Sequence, residues 1–119
     1  MANIGATDVT YTIRDRQKIQ GRYLVQAQIG FGNTSLTYPS GGIPLTKAKL
    51  GLPTQISSLE IIESNGKALL YEWDRSADTI RIFNPTQETD ANTNKAGVEY
   101  VAATTAPAVT VLEVEAIGF

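Results

Sequence analysis

Apolar and polar residues alternate along much of this chain with a period of two, and turn residues break the pattern at nearly regular intervals. Successive side chains of a strand point to opposite faces of a sheet, so period two marks strands with one buried face. Residues 8–14 (DVTYTIR) set Val9, Tyr11 and Ile13 against Thr10, Thr12 and Arg14. Residues 15–21 read as a polar connection ending in glycine, with Arg14-Asp15-Arg16-Gln17-Lys18 as a solvated turn. Residues 22–31 (RYLVQAQIGF) carry the longest clean alternation and predict a central strand. Tyr23, Val25, Ala27, Ile29 and Phe31 share one face, with Gln26 and Gln28 opposite. Gly30 and Gly32, flanking Phe31, predict a bulge or a close backbone approach where this strand ends.

The alternation stops at residues 38–53, YPSGGIPLTKAKLGLP. Three of the five prolines and three of the ten glycines fall here, so neither a long helix nor a strand can run through. Residues 46–50 (TKAKL) predict one helical turn, capped by Thr46 and stopped by Gly51 in a left-handed conformation, with Pro53 forbidding continuation. Gly41-Gly42 supplies a bend before it. The apolar members Tyr38, Ile43, Leu45, Leu50 and Leu52 must bury themselves against something, and the leucines are expected to point inward.

Strand pattern returns at 55–63. Asn65-Gly66 is a strong hairpin signal leading into 68–74 (ALLYEWD), where Leu69, Tyr71 and Trp73 share a face. A tight turn at 75–78 and a strand at 79–84 complete an expected three-stranded meander over 55–84. Residues 85–96 are polar and aperiodic, a surface loop. A short strand is expected at 98–102, a linker at 104–108, and a closing strand at 109–117 in which Leu112, Val114 and Ala116 oppose Glu113 and Glu115. About seven strands at roughly ten-residue spacing with one helical turn predict an all-β fold, an antiparallel β-sandwich or barrel. Residues 8–119 form a single β domain, preceded by a flexible arm over residues 1–7.

Composition narrows the chemistry. At 119 residues and 42% apolar content, the chain is long enough for one domain with its own core. It has no cysteine, which excludes disulfides and thiolate metal sites, and no histidine, which removes the commonest general base and transition-metal ligand. Ser-His-Asp and Cys-His catalysis are excluded with it. A net charge of −2 with dispersed cations gives no basic patch for nucleic acid. The N-terminus lacks the basic start and apolar core of a secretory signal, and no window reaches the roughly 18 apolar residues of a membrane helix.

The remaining constellations read as structure before chemistry. Asp90, Asn92 and Asn94 are spaced like the start of a calcium loop, but Lys95 stands where the glycine belongs and Val101 where the bidentate acid belongs. Gly30-Phe31-Gly32 lacks the third glycine and the following helix of a phosphate cradle. Glu60, Glu63, Glu72, Asp74, Glu113 and Glu115 alternate with apolar neighbours, as solvated outer faces do, so the paired carboxylates of a glycosidase are not indicated. Tyr71 and Trp73 share a face with Leu69 and read as core, whereas Tyr38 beside Pro39 reads as an exposed anchor or a plug at one end of the barrel. No catalytic residue, metal ligand or cofactor site emerges, and the chain reads as a non-enzyme.

The segments YPSGG (38–42), PLTKAKLGL (44–52) and LLYEWDRSADTIRIF (69–83), in this order and within alternating strands over about residues 8–117, resemble the small head decoration, or cement, proteins of tailed bacteriophages. The resemblance implies a virion structural protein, made in the host cytoplasm and bound to the outer surface of a capsid. There it would stabilise the shell by bridging capsomers, commonly as a homotrimer on the major capsid protein, with no membrane or nucleic-acid partner. The expected contacts are Ala2, Asn3 and Ile4 in the arm and Tyr38, Pro39, Gly41 and Gly42 at the bend, and no cofactor is implied. A tail or neck component, or a host- or carbohydrate-binding module, is the competing expectation.

Overall fold

The computed structural model describes residues 2–65, 70–84, 98–99 and 107–119. Eight strands follow in order: β1 (Thr10–Ile19), β2 (Arg22–Phe31), β3 (Ile43–Pro44), β4 (Ile56–Ser64), β5 (Leu70–Asp74), β6 (Thr79–Asn84), β7 (Val98–Glu99) and β8 (Thr110–Gly118). They form two antiparallel sheets, as the alternation predicted. The first has the order β1-β2-β8-β4; the second has β3-β6-β5, with β7 also pairing with β6.

The inner faces of the two sheets supply the core. β2 contributes Val25, Ala27, Ile29 and Phe31, β8 contributes Leu112, Val114 and Ala116, and β6 contributes Ile80 and Ile82. Tyr71 and Trp73 pack against this cluster from β5, as their shared face required. At about 25 cal/mol per Å² of apolar surface removed from water, each fully buried Leu or Ile contributes about 1.5–3 kcal/mol.

Two expectations about the strands are corrected. Residues 15–19 are strand, not a turn. The connection between β1 and β2 is the two-residue turn Gln20-Gly21, both at positive φ (50° and 81°). Such a turn matches the twist of a hairpin and draws the charged cluster into an edge strand. A bulge between Ile13 and Asp15 shifts the register there. The Asp15-to-Ile19 half of β1 therefore alternates out of phase with the first half, and one unbroken period could not read it.

The meander is also corrected. β4 lies in the first sheet beside β8, whereas β5 and β6 lie in the second. Asn65 shows why β4 stays with β8. Its N–H donates to the Val111 carbonyl, its Oδ1 accepts from Val111 N–H at 2.7 Å, and its Nδ2 donates to the Val109 carbonyl. The side chain thus extends the β4–β8 ladder where a hairpin to β5 was expected. Gly66, the second residue of that turn signal, lies outside the described residues, as do the 85–96 loop, Asp90, Asn92 and Asn94, and the expected strand beyond Glu99.

The helical turn is present as a single 3₁₀ turn, Lys47–Leu50, ended by Gly51 at φ 82°. Thr46 precedes it without a side-chain cap. A second 3₁₀ turn, Ala6–Asp8, stands before β1. The close approach read from the glycines falls at Gly32, where a Cβ would lie 2.2 Å from the Ala108 carbonyl oxygen.

Candidate interaction surface

Residues 2–4 are not a free arm. Ile4 N–H donates to the Thr37 carbonyl and Thr37 N–H donates to the Ala2 carbonyl, both at 2.9 Å, so Asn3 and Thr37 form a parallel bridge. The Thr37 hydroxyl adds bonds to the Ala2 carbonyl and the Asn3 side chain. Ile4 is 2% exposed and belongs to the core. One apolar residue among small and polar ones is enough to fasten this segment, because its burial offsets the entropy of ordering its neighbours.

The same bridge brings the two expected contact segments together, since Thr37 directly precedes Tyr38. Their exposure then divides them. Ala2 and Asn3 are exposed, Pro39 and Gly41 are half-buried, and Ile4, Tyr38 and Gly42 are buried. Tyr38 is 1% exposed and buried in the core, so its reading as an exposed anchor is corrected. Its ring fills the sandwich and its hydroxyl accepts from Ile82 N–H. Gly42 sits on β6: a Cβ there would meet the Ile80 carbonyl oxygen at 2.8 Å, and the Thr79 hydroxyl donates to the Gly41 carbonyl at 2.6 Å. The bend is therefore fixed within the chain, and its exposed part is Pro39, Ser40 and Gly41.

The remainder of the stretch behaves as a plug. Ile43, Leu50 and Leu52 are wholly buried, and Leu45 packs against the same cluster. Two contacts hold it under β1. Thr46 N–H donates to the Tyr11 hydroxyl at 2.8 Å, and Arg16 Nε donates to the Gly51 carbonyl at 2.9 Å. Burial raises the Tyr11 hydroxyl above its ordinary pKa of 10.0, against the smaller opposing effect of the Thr46 bonds. Arg16 also stacks on Tyr23, 4.0 Å from the ring centre. The lysines of the turn, Lys47 and Lys49, remain exposed.

The outward face of the first sheet is acidic. Glu60 lies opposite Glu115 and Glu63 opposite Glu113 across the β4–β8 pair, and Asp15 stands on the same rung as Glu115 by way of Gln26. Like charges directly opposite one another destabilise a sheet. One cation relieves the repulsion at Glu113. Arg14, at the bulge, reaches over β2 to donate from Nε and Nη2 to the two oxygens of Glu113 at 3.0 and 2.7 Å, and to Gln28. Pairing with Glu113 raises the pKa of the Arg14 guanidinium further. The register across three strands was invisible in the sequence. The outward phase of Glu113 and Glu115 was legible there.

Two depressions lie elsewhere on the surface. A shallow depression of about 450 Å³ lies among Ile19, Gln20, Arg22, Tyr23, Leu24 and Ile117. A polar one of about 270 Å³ lies among Lys47, Thr54, Ser57, Arg75 and Asp78. Among the described residues no group of three or more acids is placed to hold a metal ion, and no helix is long and apolar enough to cross a membrane. Comparison with protein-family models, with characterised proteins and with solved structures finds no match to this chain.

Proposed function

We propose that this chain is a virion structural protein that binds the outer surface of a bacteriophage capsid and stabilises the shell by bridging capsomers. The observation that carries the reading is the joining of residues 2–4 to Thr37. It fixes the exposed Ala2 and Asn3 beside Thr37, at the head of the stretch that carries Pro39, Ser40 and Gly41, on a backbone held by the core. A contact surface preformed in this way loses little entropy on docking, so small interfaces repeated over a shell suffice. A β-sandwich whose charged side chains face outward also suits a part that works by binding rather than by chemistry. In this role the partner is the major capsid protein, and the chain acts as a homotrimer.

The test is co-migration with purified phage shells in size-exclusion chromatography. Stable co-migration with expanded empty capsids, and none with immature shells, is the expected result. Failure to bind any shell overturns the proposal. Binding to isolated tails or necks instead would support a tail or neck component, and binding to host cells or to a glycan array would support the recognition-module reading.

A further inference from the structure

The first sheet has a predominantly acidic outward face and, on the other side of β1, a basic flank. Outward lie Asp15, Glu60, Glu63, Glu113 and Glu115, five of the twelve acids of the chain, against two cations, Arg14 paired with Glu113 and Arg22 near the turn. On the other side lie Arg16 and Lys18, opposite Val25 and Tyr23 respectively. Both cations are set over the Tyr23 ring, at 4.0 and 5.6 Å from its centre. Arg16 is joined to Gly51, the residue that ends the Lys47–Leu50 turn, so the exposed Lys47 and Lys49 extend the same basic flank. Among the described residues none of these four cations forms an ion pair. The flank is therefore a preformed, uncompensated basic surface held by a stacked ring and a backbone bond.

We infer that this basic flank is a docking surface for a second copy of the chain, which it receives through the acidic outward face of that copy's first sheet. Charge complementarity selects this occupant, since the molecule itself displays a flat face on which Asp15, Glu60, Glu63 and Glu115 form no ion pair among the described residues. The two surfaces lie on opposite sides of one sheet. A two-fold pairing that used either would set like charge against like. The contact is therefore heterologous, head to tail, and its repetition either closes a ring or runs on as an open chain. The 38–53 stretch thus reaches the interface through Lys47 and Lys49, not through Tyr38. The inference stands apart from shell binding, because purified protein alone reports it.

Sedimentation velocity on the full chain tests it. Association is expected in about 0.01 M salt, where exposed charges still attract over about 30 Å, and should weaken by roughly tenfold or more at about 0.1 M, where that distance falls to about 10 Å. The paired variants Glu60→Lys/Glu115→Lys and Lys47→Glu/Lys49→Glu change exposed residues or outward half-exposed ones, and circular dichroism checks that each still folds. Each alone should abolish association, and mixing the two should restore a heterodimer through complementary surfaces. A chain that stays monomeric in low salt overturns the inference, as does association insensitive to salt. Loss in only one of the two variants overturns it also, because the other surface would then not be the counterpart.

Discussion

The hydroxyl of Tyr38 accepts a hydrogen bond from the backbone N–H of Ile82 at 3.2 Å. The position of that bond explains the residue. On this flank of β6, β3 pairs at Thr79 and Ile80 and β7 pairs at Phe83 and Asn84. Among the described residues no strand pairs with β6 between these two, and the Tyr38 hydroxyl stands at that place on the edge. The side chain thus acts as one rung of the sheet and as core filling together.

Tyr38→Phe keeps the ring and removes the acceptor. It should destabilise the fold by about 1–3 kcal/mol, the cost of leaving a buried donor unmet. Tyr38→Ala should cost more, about 3–5 kcal/mol, since a cavity is added. Urea unfolding followed by tryptophan fluorescence measures both. Equal stability of Tyr38→Phe and wild type would contradict the role assigned to the hydroxyl.

The buried end of the 38–53 stretch was legible because Leu50 and Leu52 have no polar partner and Gly51 needs the left-handed region. Tyr38 was not legible. A tyrosine between a strand end and a proline has the same local sequence whether its ring turns in or out, and a strand 44 residues away in sequence decides. Residues 2–4 were misread for a similar reason, as Ile4 alone distinguishes them from a loose terminus. The sandwich itself followed from alternation in β2 and β8, whereas the assignment of β4 and β5 to different sheets depended on the side chain of Asn65.

The bend at Gly41-Gly42 offers a paired comparison. Both residues have positive φ, 88° and 106°, but a Cβ at Gly41 would meet nothing within 4 Å, whereas at Gly42 it would lie 2.8 Å from the Ile80 carbonyl oxygen. Gly41→Ala should cost about 1–2 kcal/mol, the penalty of a left-handed backbone. Gly42→Ala should cost clearly more, because β6 must also move. Thermal or urea unfolding that ranks the two in the reverse order would show that the bend is not seated on β6 as described.

Asp74 governs the acid side of the stability profile. Its Oδ1 accepts from the Ser76 hydroxyl at 2.8 Å and from the backbone of Ser76 and Ala77, while Oδ2 accepts from Arg81. The Ser76 bond first, then those to Arg81 and Ala77, hold the carboxyl below its ordinary 3.8, with partial burial opposing them. A depressed folded pKa stabilises the folded state above the unfolded value, and that contribution is lost as pH falls through the folded one. Asp74→Asn should therefore be less stable than wild type at neutral pH and lose less on acidification. Melting temperatures recorded from neutral pH down through the carboxylate range would show the two profiles converging; parallel profiles would contradict the assignment.

Tyr11 sets the alkaline side, with the opposite sign. Its pKa is raised, so the folded state holds the phenolic proton more tightly than the unfolded chain does. That stabilisation is complete below the ordinary value of 10.0 and is lost as pH rises through the raised one. Ionisation would place a phenolate beside the plug, where burial disfavours charge. Tyr11→Phe removes the titrating group and also the acceptor for Thr46 N–H. At neutral pH it should cost about 1 kcal/mol, the usual net worth of one hydrogen bond. Above the ordinary tyrosine value it should lose stability less steeply than wild type, so the gap between them narrows. Urea titrations at neutral pH and on either side of the tyrosine range measure this, and an unchanged alkaline slope in Tyr11→Phe would place the alkaline weakness at another group.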